Sequence, residues 1–287
     1  MKKYFLILLV LILFITNSCI KNNTDPSWIY IDTWKLQANQ TNLEGDISSH
    51  NITNAYLLID DNVIGYFQLP IKLPILQEGT KKISIYPAIN NNGISSTKRC
   101  YPFLQPYIIS TNLKKNETTN LSPTTKYYTN TKFWIENFED AGLKIQTDPN
   151  YSPVLTTGSD PSILKYGHKY GWIHLTKIDS VWLGVTQKMS LPQYGAEVFL
   201  EIDYMNTNNL LTGVNSYGSA TFLSNPNIQL NTQSNDSKKW KKIYIDLKEI
   251  ISYSTSYYQF EQYFQAKLDT GKEFSDIYID NIKLVYF

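Results

Sequence analysis

Tyr170, Trp172 and His174 fall at alternate positions of the segment KYGWIHLTK, and Tyr166 and His168 precede them closely. Alternate side chains of an extended strand share a face, so Ile173 and Leu175 turned toward a core would leave the aromatic set facing outward. An outward Trp flanked by Tyr and His suits sugar recognition: the ring takes the apolar C–H side of a pyranose while edge groups bind hydroxyls. The opposite assignment, with Trp172 and Tyr170 inside and the aliphatic residues under a loop, fits the same alternation, because large aromatics are usually well buried. Trp182, Tyr253, Tyr257 and Tyr258 are further candidates for a ligand-binding surface on the same grounds. Glu201 and Asp203, two apart on another strand, would hold their Cα atoms roughly 6.5–7 Å apart, and paired carboxylates are what a glycosidase needs. Two acids on a wet sheet face are equally an ordinary solvated surface, and neither has a sequence neighbour that would raise its pKa. His168 and His174 would need a third ligand from elsewhere to hold zinc.

No G-x-S-x-G elbow, Walker loop, dinucleotide-binding glycine pattern or H-E-x-x-H occurs in the chain. Cys100 has His168 as its nearest downstream histidine and reads as a small apolar residue rather than a nucleophile. A non-catalytic protein without an organic cofactor is therefore expected. The charge balance points the same way for nucleic acid: 26 Lys and Arg against 25 Asp and Glu leave no electrostatic footprint for a phosphate backbone, and no basic run supplies one. Nucleic acid is not an expected partner. Charged residues at only 18% and 22 tyrosines exclude disorder driven by charge.

The elements that must position these residues are strands. WIYIDTWKL, AYLLID, VIGYFQLP, KKISIYPAI and YPFLQPYIIS have strand length and composition and are separated by Asn, Gly, Asp and Pro clusters. Asp60-Asp61-Asn62 and Asn90-Asn91-Asn92-Gly93 predict hairpin turns that use positive φ. Pro70 and Pro74 each remove a ladder donor, which predicts an edge strand or a crossing between sheets. Residues 28–111 thus read as a β-sandwich that is Ig-like only in broad architecture, and the Asn- and Thr-rich stretch 112–131 reads as a linker. Further strands are predicted near 133–138, 170–176, 181–188, 196–205, 217–223, 240–247 and 277–286. In EVFLEIDYM, Val198, Leu200, Ile202 and Tyr204 are expected to face the core, with Phe199, Glu201 and Asp203 on the wet side. Residues 248–264 read either as a helical turn or as an aromatic loop.

At the N-terminus, Lys2 and Lys3 precede an unbroken apolar run from Phe5 to Ile15. Eleven residues fall short of the roughly 20 that cross a bilayer, which predicts a signal-peptide core. The following Thr16-Asn17-Ser18-Cys19 resembles the lipobox of bacterial lipoproteins. That resemblance implies cleavage after residue 18, acylation of Cys19 (palmitate or a similar fatty acid), a tether over 19–27 and a lipid anchor in the outer membrane, with display at the cell surface favoured. Two acyl chains hold a protein on a membrane stably. An ordinary secretory leader with an incidental Cys19 is the alternative.

Three segments carry a second resemblance. FWIENFED, WKKIYIDL and DIYIDNIKLVYF look like the first, penultimate and final strands of galactose-binding-like jelly rolls, a group that includes many carbohydrate-binding modules. The likeness covers 132–287 and implies an all-β chain, with the Ig-like sandwich followed by a jelly-roll sandwich. It also implies a structural calcium held by Glu136, Glu139 and Asp280, whose hard oxygens suit that ion. Alternatively Glu139 and Asp140 form a turn and Asp280 caps a strand pair. The function expected is glycan binding by a membrane-anchored lipoprotein. An accessory subunit of an outer-membrane protein complex, and a glycoside hydrolase using Glu201 and Asp203, are the other readings.

Overall fold

The computed structural model describes residues 25–39, 43–253 and 255–287, so the leader, Cys19 and most of the tether lie outside the described residues. The first strands are β1 (Ser27–Ile31), β2 (Lys35–Leu36), β3 (Asn54–Ile59), β4 (Asn62–Gln68) and β5 (Ile71–Ile75). They are followed by β6 (Gly79–Asn90), β7 (Lys98–Cys100), β8 (Tyr107–Leu113), β9 (Thr118–Leu121) and β10 (Thr124–Thr125). One sheet runs β4-β3-β6, with β7 and β8 both pairing with β6; the facing sheet is β5-β1-β9, and β10 pairs with β2. Alternation in β1, β3 and β6 turns Ile29, Ile31, Leu57, Ile59, Ile83 and Ile85 inward, where each is fully buried. Pro74 lies in β5, an edge strand reached by crossing from the other sheet after Gln68, as the two prolines predict. Asp60, Asp61 and Asn92 adopt positive φ in the expected turns.

The stretch 112–131, expected to be a linker, is instead part of this sandwich. β9 lies parallel to β1 and β10 parallel to β2, so the chain returns beside its own first strands before leaving. Leu121 and Thr125 are buried; the polar composition belongs to the outward positions of short strands.

The second half contains β11 (Lys132–Glu136), β12 (Ile145–Thr147), β13 (Thr156–Gly158), β14 (Tyr170–Thr176), β15 (Val181–Thr186) and β16 (Val198–Asn206). Then come β17 (Leu210–Gly218), β18 (Phe222–Leu230), β19 (Lys241–Asp246), a single-turn helix α1 (Lys248–Ser252), β20 (Tyr257–Lys267) and β21 (Phe274–Tyr286). Two sheets, β13-β14-β21-β16-β19 with β11 added on β21 and β12-β15-β20-β17-β18, face each other as a jelly-roll sandwich. Their core includes Phe138, Trp182, Leu200, Ile202, Ile245, Phe260, Phe264, Ile277 and Ile279. The strand expected over 217–223 is instead a hairpin, in which Tyr217 at the end of β17 pairs with Phe222 at the start of β18, and of the two readings of 248–264 the helical turn is found, followed by β20 in place of an aromatic loop.

The apolar spacing of β21 explains a local irregularity. Ile277 and Ile279 share a face with Ile282 and Leu284 only if one extra residue is inserted between the pairs. A bulge opposite Glu201 and Asp203 does this, with Asn281 at φ 45°. Lys283 is thereby turned away from the core.

The two sandwiches are not separated. Tyr101, Phe103 and Tyr127 of the first pack with Phe199, Tyr244 and Val285 of the second in one apolar cluster. Arg99 reaches across to Glu197 at 2.6 Å and to Asp246. Gly93, at the tip of the β6–β7 hairpin, lies so close to β19 that a Cβ there would stand 2.8 Å from Ile243 Cδ1.

Candidate functional site

The open face of the sheet β12-β15-β20-β17-β18 is built by the alternation of β17 and β20. Phe260, Gln262 and Phe264 are buried in β20, while Glu261, Tyr263 and Gln265 line a hollow on the other side. In β17, Asn215 and Tyr217 point the same way, and Gly213 sits directly opposite Tyr263. A Cβ on Gly213 would stand 2.2 Å from the Tyr263 ring, so the phenol lies across the glycine and, only 6% exposed, supports the floor from beneath while Tyr217 and Phe222 offer their rings to the hollow. The Tyr217 hydroxyl donates to Glu261 Oε2 at 2.8 Å, and Asn215 Nδ2 donates to the same oxygen at 3.0 Å. Lys188 Nζ stands 3.7 Å from the centre of the Tyr217 ring, a cation–π contact. Phe222, 59% exposed, tilts against Tyr217 at 5.1 Å.

Burial pushes the Tyr217 phenol up to about 12, and its hydrogen bond to Glu261 adds to the effect; burial raises Tyr263 as well. Both tyrosines therefore remain neutral donors at physiological pH. This hollow measures about 570 Å³ and adjoins another of about 800 Å³, lined by Asn209, Gln229 and Lys267, with Gln265 common to both. Together they form a trough across the sheet whose floor offers ring faces and whose sides offer amides, a carboxylate and an ammonium.

The residues expected to bind ligand are distributed differently. Trp172 and His174 do face outward, from the opposite sheet, where their rings lie 5.8 Å apart and His174 is 5.8 Å from the exposed Phe274. Trp172 Nε1 donates to Asp276 Oδ1 at 2.8 Å, and the same oxygen lies 2.8 Å from His174 Nδ1. Tyr170 shares that face but is 4% exposed, covered with Met205 and Tyr278 by Ile163, Leu164 and Trp240, so it offers no platform. Trp182 is fully buried in the sandwich core with its indole N–H on Thr147, which removes it as a ligand contact. Tyr257 packs against the core from the first position of β20; Tyr258 is exposed at the irregularity that follows. Both belong to the trough's sheet, far in topology from Trp172.

Glu201 and Asp203 are not on a wet face. Both are fully buried under the first sandwich. Tyr101 and Tyr127 hydroxyls donate to Glu201 Oε1 at 2.6 and 2.9 Å, Ser49 donates to Asp203, and Lys242 Nζ lies 3.1 Å from Glu201 and 3.3 Å from Asp203. Burial pushes the Glu201 carboxyl up, but Lys242, Lys283 and the two hydroxyls outweigh it and hold it below the ordinary range. A general acid needs the opposite shift and an open approach. The pair is a structural ion network, and the hydrolase reading that used it is withdrawn.

The three carboxylates expected to hold calcium do not converge. Glu136 is buried and spends its two oxygens on the backbone N–H groups of Phe138 and Lys144, which ties the loop after β11. Glu139 and Asp280 do line one small cleft of about 40 Å³, together with Asp46, Asn137 and Asn281. Burial pushes Asp280 up to about 8; the Asp203 and Glu139 charges add, and the Asn281 N–H only partly offsets them. Glu139 Oε1 accepts from the His168 and Lys169 N–H groups at 2.7 and 3.0 Å and Asp280 Oδ1 from the Asn281 N–H at 2.7 Å, which leaves the second oxygen of each as a hard donor toward the cleft. Glu139 and Asp280 share that cleft, and Glu136 does not reach it. Among the described residues, no group of three or more His, Cys, Asp or Glu side chains forms a cage.

Neither a family model nor a curated protein matches this chain. Solved structures do resemble it. A CBM22-2 xylan-binding domain from Paenibacillus barcinonensis is 14% identical with a TM-score of 0.39, covering 54% of this chain and 99% of that one. A carbohydrate-binding module of the β-sandwich superfamily, 14% identical with a TM-score of 0.39, covers 82% of this chain and 86% of its own. A family 29 carbohydrate-binding module is 11% identical with a TM-score of 0.34, over 55% and 90%. Scores this low carry no functional argument, which has to come from the side chains.

The trough residues Tyr217, Glu261 and Tyr263 escaped the sequence reading. The signal that marks them is the alternation of Phe260, Gln262 and Phe264 against Glu261, Tyr263 and Gln265, hidden by the reading of that stretch as loop.

Proposed function

We propose that this chain is a non-catalytic glycan-binding protein whose jelly-roll trough receives a sugar chain, displayed at the bacterial outer membrane through a lipid on Cys19. The observation that supports the binding role is the exposed Phe222 tilted against the half-buried Tyr217 beside the Tyr217–Glu261–Asn215 hydrogen-bond set. A flat ring stacks on the apolar face of a pyranose, and neighbouring amide and carboxylate groups take its hydroxyls. Glu139 and Asp280 are proposed to take part in holding a structural calcium, which would brace the loop between β11 and β12. The lipid anchor rests on the leader and Cys19 alone.

A panel of neutral plant, algal and microbial polysaccharides in native affinity gels tests the binding role. Retardation by at least one polymer, lost in Phe222→Ala and kept in Trp172→Ala, is the expected result. If no polymer retards the protein and a barrel protein co-purifies with it from the envelope, the accessory-subunit reading replaces this one. Labelled palmitate that fails to enter the wild-type protein while entering a known lipoprotein would remove the anchor.

A further inference from the structure

A second cleft, of about 440 Å³, opens where the two sandwiches meet, walled on one side by His50, Asn51 and Asn90 and on the other by β19 and the loop ahead of it. Its volume lies within the range of about 300–1,000 Å³ found for small-ligand pockets. No carboxylate lines it, whereas Lys165, Lys239, Lys241 and Lys242 do. Lys242 is already balanced: with Lys283 it faces Glu201 and Asp203 in the buried network beneath the floor. Lys165, Lys239 and Lys241 are exposed and form no ion pair among the described residues, and Lys165 Nζ stands 4.9 Å from the centre of the Tyr166 ring, so three unbalanced charges line one concavity. His50 adds no charge, since burial and then Lys242 hold its imidazole below the usual value; its buried Nδ1 has no partner.

The lysines are interleaved with rings. Trp240, fixed by donating Nε1 to Ile163 O at 2.7 Å, lines the cleft with Tyr166 and Tyr204. A neighbouring hollow of about 360 Å³ shares Lys165, Lys239 and Trp240 with the first. One basic, aromatic wall therefore serves two adjoining hollows, which suits an extended ligand rather than a single small ion.

We propose that this junction is a second binding site, one that takes the anionic group of an acidic saccharide, a uronate carboxylate or a sulfate ester, on Lys165, Lys239 and Lys241, with a ring of the sugar against Trp240. Surplus ammonium groups supply the attraction, and indole and phenol faces select a saccharide over a bare anion. The site exists only when both sandwiches are in place, which gives the first one a share in recognition. It is separate from the trough and does not depend on it.

The test uses the full chain without its leader and four polymers in pairs: polygalacturonate against its methyl ester, and dextran sulfate against dextran. The expected result is binding to polygalacturonate, to dextran sulfate or to both, with the uncharged partner at least about tenfold weaker, equivalent to about 1.4 kcal/mol; which charged polymer binds identifies the group. Lys239→Gln with Lys241→Gln should weaken that binding at least about tenfold, and Phe222→Ala should not. Lys114→Gln with Lys115→Gln, the same change in net charge on the first sandwich, should leave it unchanged. If the double change at the cleft alters the melting temperature, Lys165→Gln replaces it. The proposal is overturned if neither charged polymer binds, if the uncharged partners bind equally well, if Lys114→Gln with Lys115→Gln weakens binding as much, or if a DNA duplex binds as tightly as the saccharides.

Discussion

On the sheet that includes β16 and β21, Glu201 accepts hydrogen bonds from Tyr101 and Tyr127 beneath the first sandwich. On the sheet that includes β17 and β20, Glu261 accepts from Tyr217 and Asn215 at similar distances, but in an open trough. Residue types and local bonding are nearly the same in the two places, and what differs is what lies above them. Covered, the acid must be balanced by lysines that are buried with it; uncovered, it can exchange its internal partners for a ligand's hydroxyls. Polar residues facing away from a sandwich core therefore say nothing about binding until the far side of the sheet is known.

The sharpest way to break this contrast is to remove a counter-charge from the covered face. Lys242→Met leaves Glu201 and Asp203 without their nearest ammonium, and equilibrium denaturation in urea should show a loss of about 3–5 kcal/mol. An effect below about 1 kcal/mol would mean that water reaches the network. Next in size is calcium: if the Glu139–Asp280 cleft holds the ion, saturation at about 100-fold above the dissociation constant should add about 2.7 kcal/mol. The melting temperature should then fall on adding EGTA to the wild type and be indifferent to EGTA in Asp280→Asn.

A pH titration probes the covered face more gently. Burial pushes the Lys283 amine down to about 8, against 10.5 for a free lysine. The unfolded chain therefore binds this proton more tightly than the folded one between those values, and stability should rise from pH 8 toward pH 10 by an amount on the order of 1 kcal/mol. Lys283→Met should flatten that rise; a slope unchanged in the variant would assign it to another group. The smallest effect belongs to the open face. Glu261→Gln should alter stability by no more than about 0.5 kcal/mol, as surface changes usually do, while weakening retardation by the polysaccharide that the wild type binds.

Much of the architecture was legible in the chain. The alternation of Val198, Leu200 and Ile202, the turns at Asp60 and Asn92 and the crossing marked by Pro70 and Pro74 are local signals, and each is found where expected. The broken spacing between Ile279 and Ile282 was there to be read as a bulge. What could not be read is long-range. Phe199, Glu201 and Asp203 look like an outward face from β16 alone, and only the approach of Tyr101, Tyr127 and Ser49, 74 to 154 residues away in sequence, makes them interior. The stretch 112–131 looked like a linker because short strands that pair only with β1 and β2 need few apolar residues. Lys238 to Lys242 around Trp240 form a local basic run that the balanced total charge conceals, because the balancing acids lie elsewhere.

β1 is held on both sides, by β5 and, in parallel, by β9, and the sandwich it belongs to is joined to the jelly roll through Arg99 and a shared aromatic cluster. A pull on the residues ahead of Ser27 would load two ladders in shear at once instead of peeling one hydrogen bond at a time. The force would pass into the second sandwich without a swivel between them. The trough thus keeps a fixed bearing relative to β1, so that the two ends of the described chain turn as one piece.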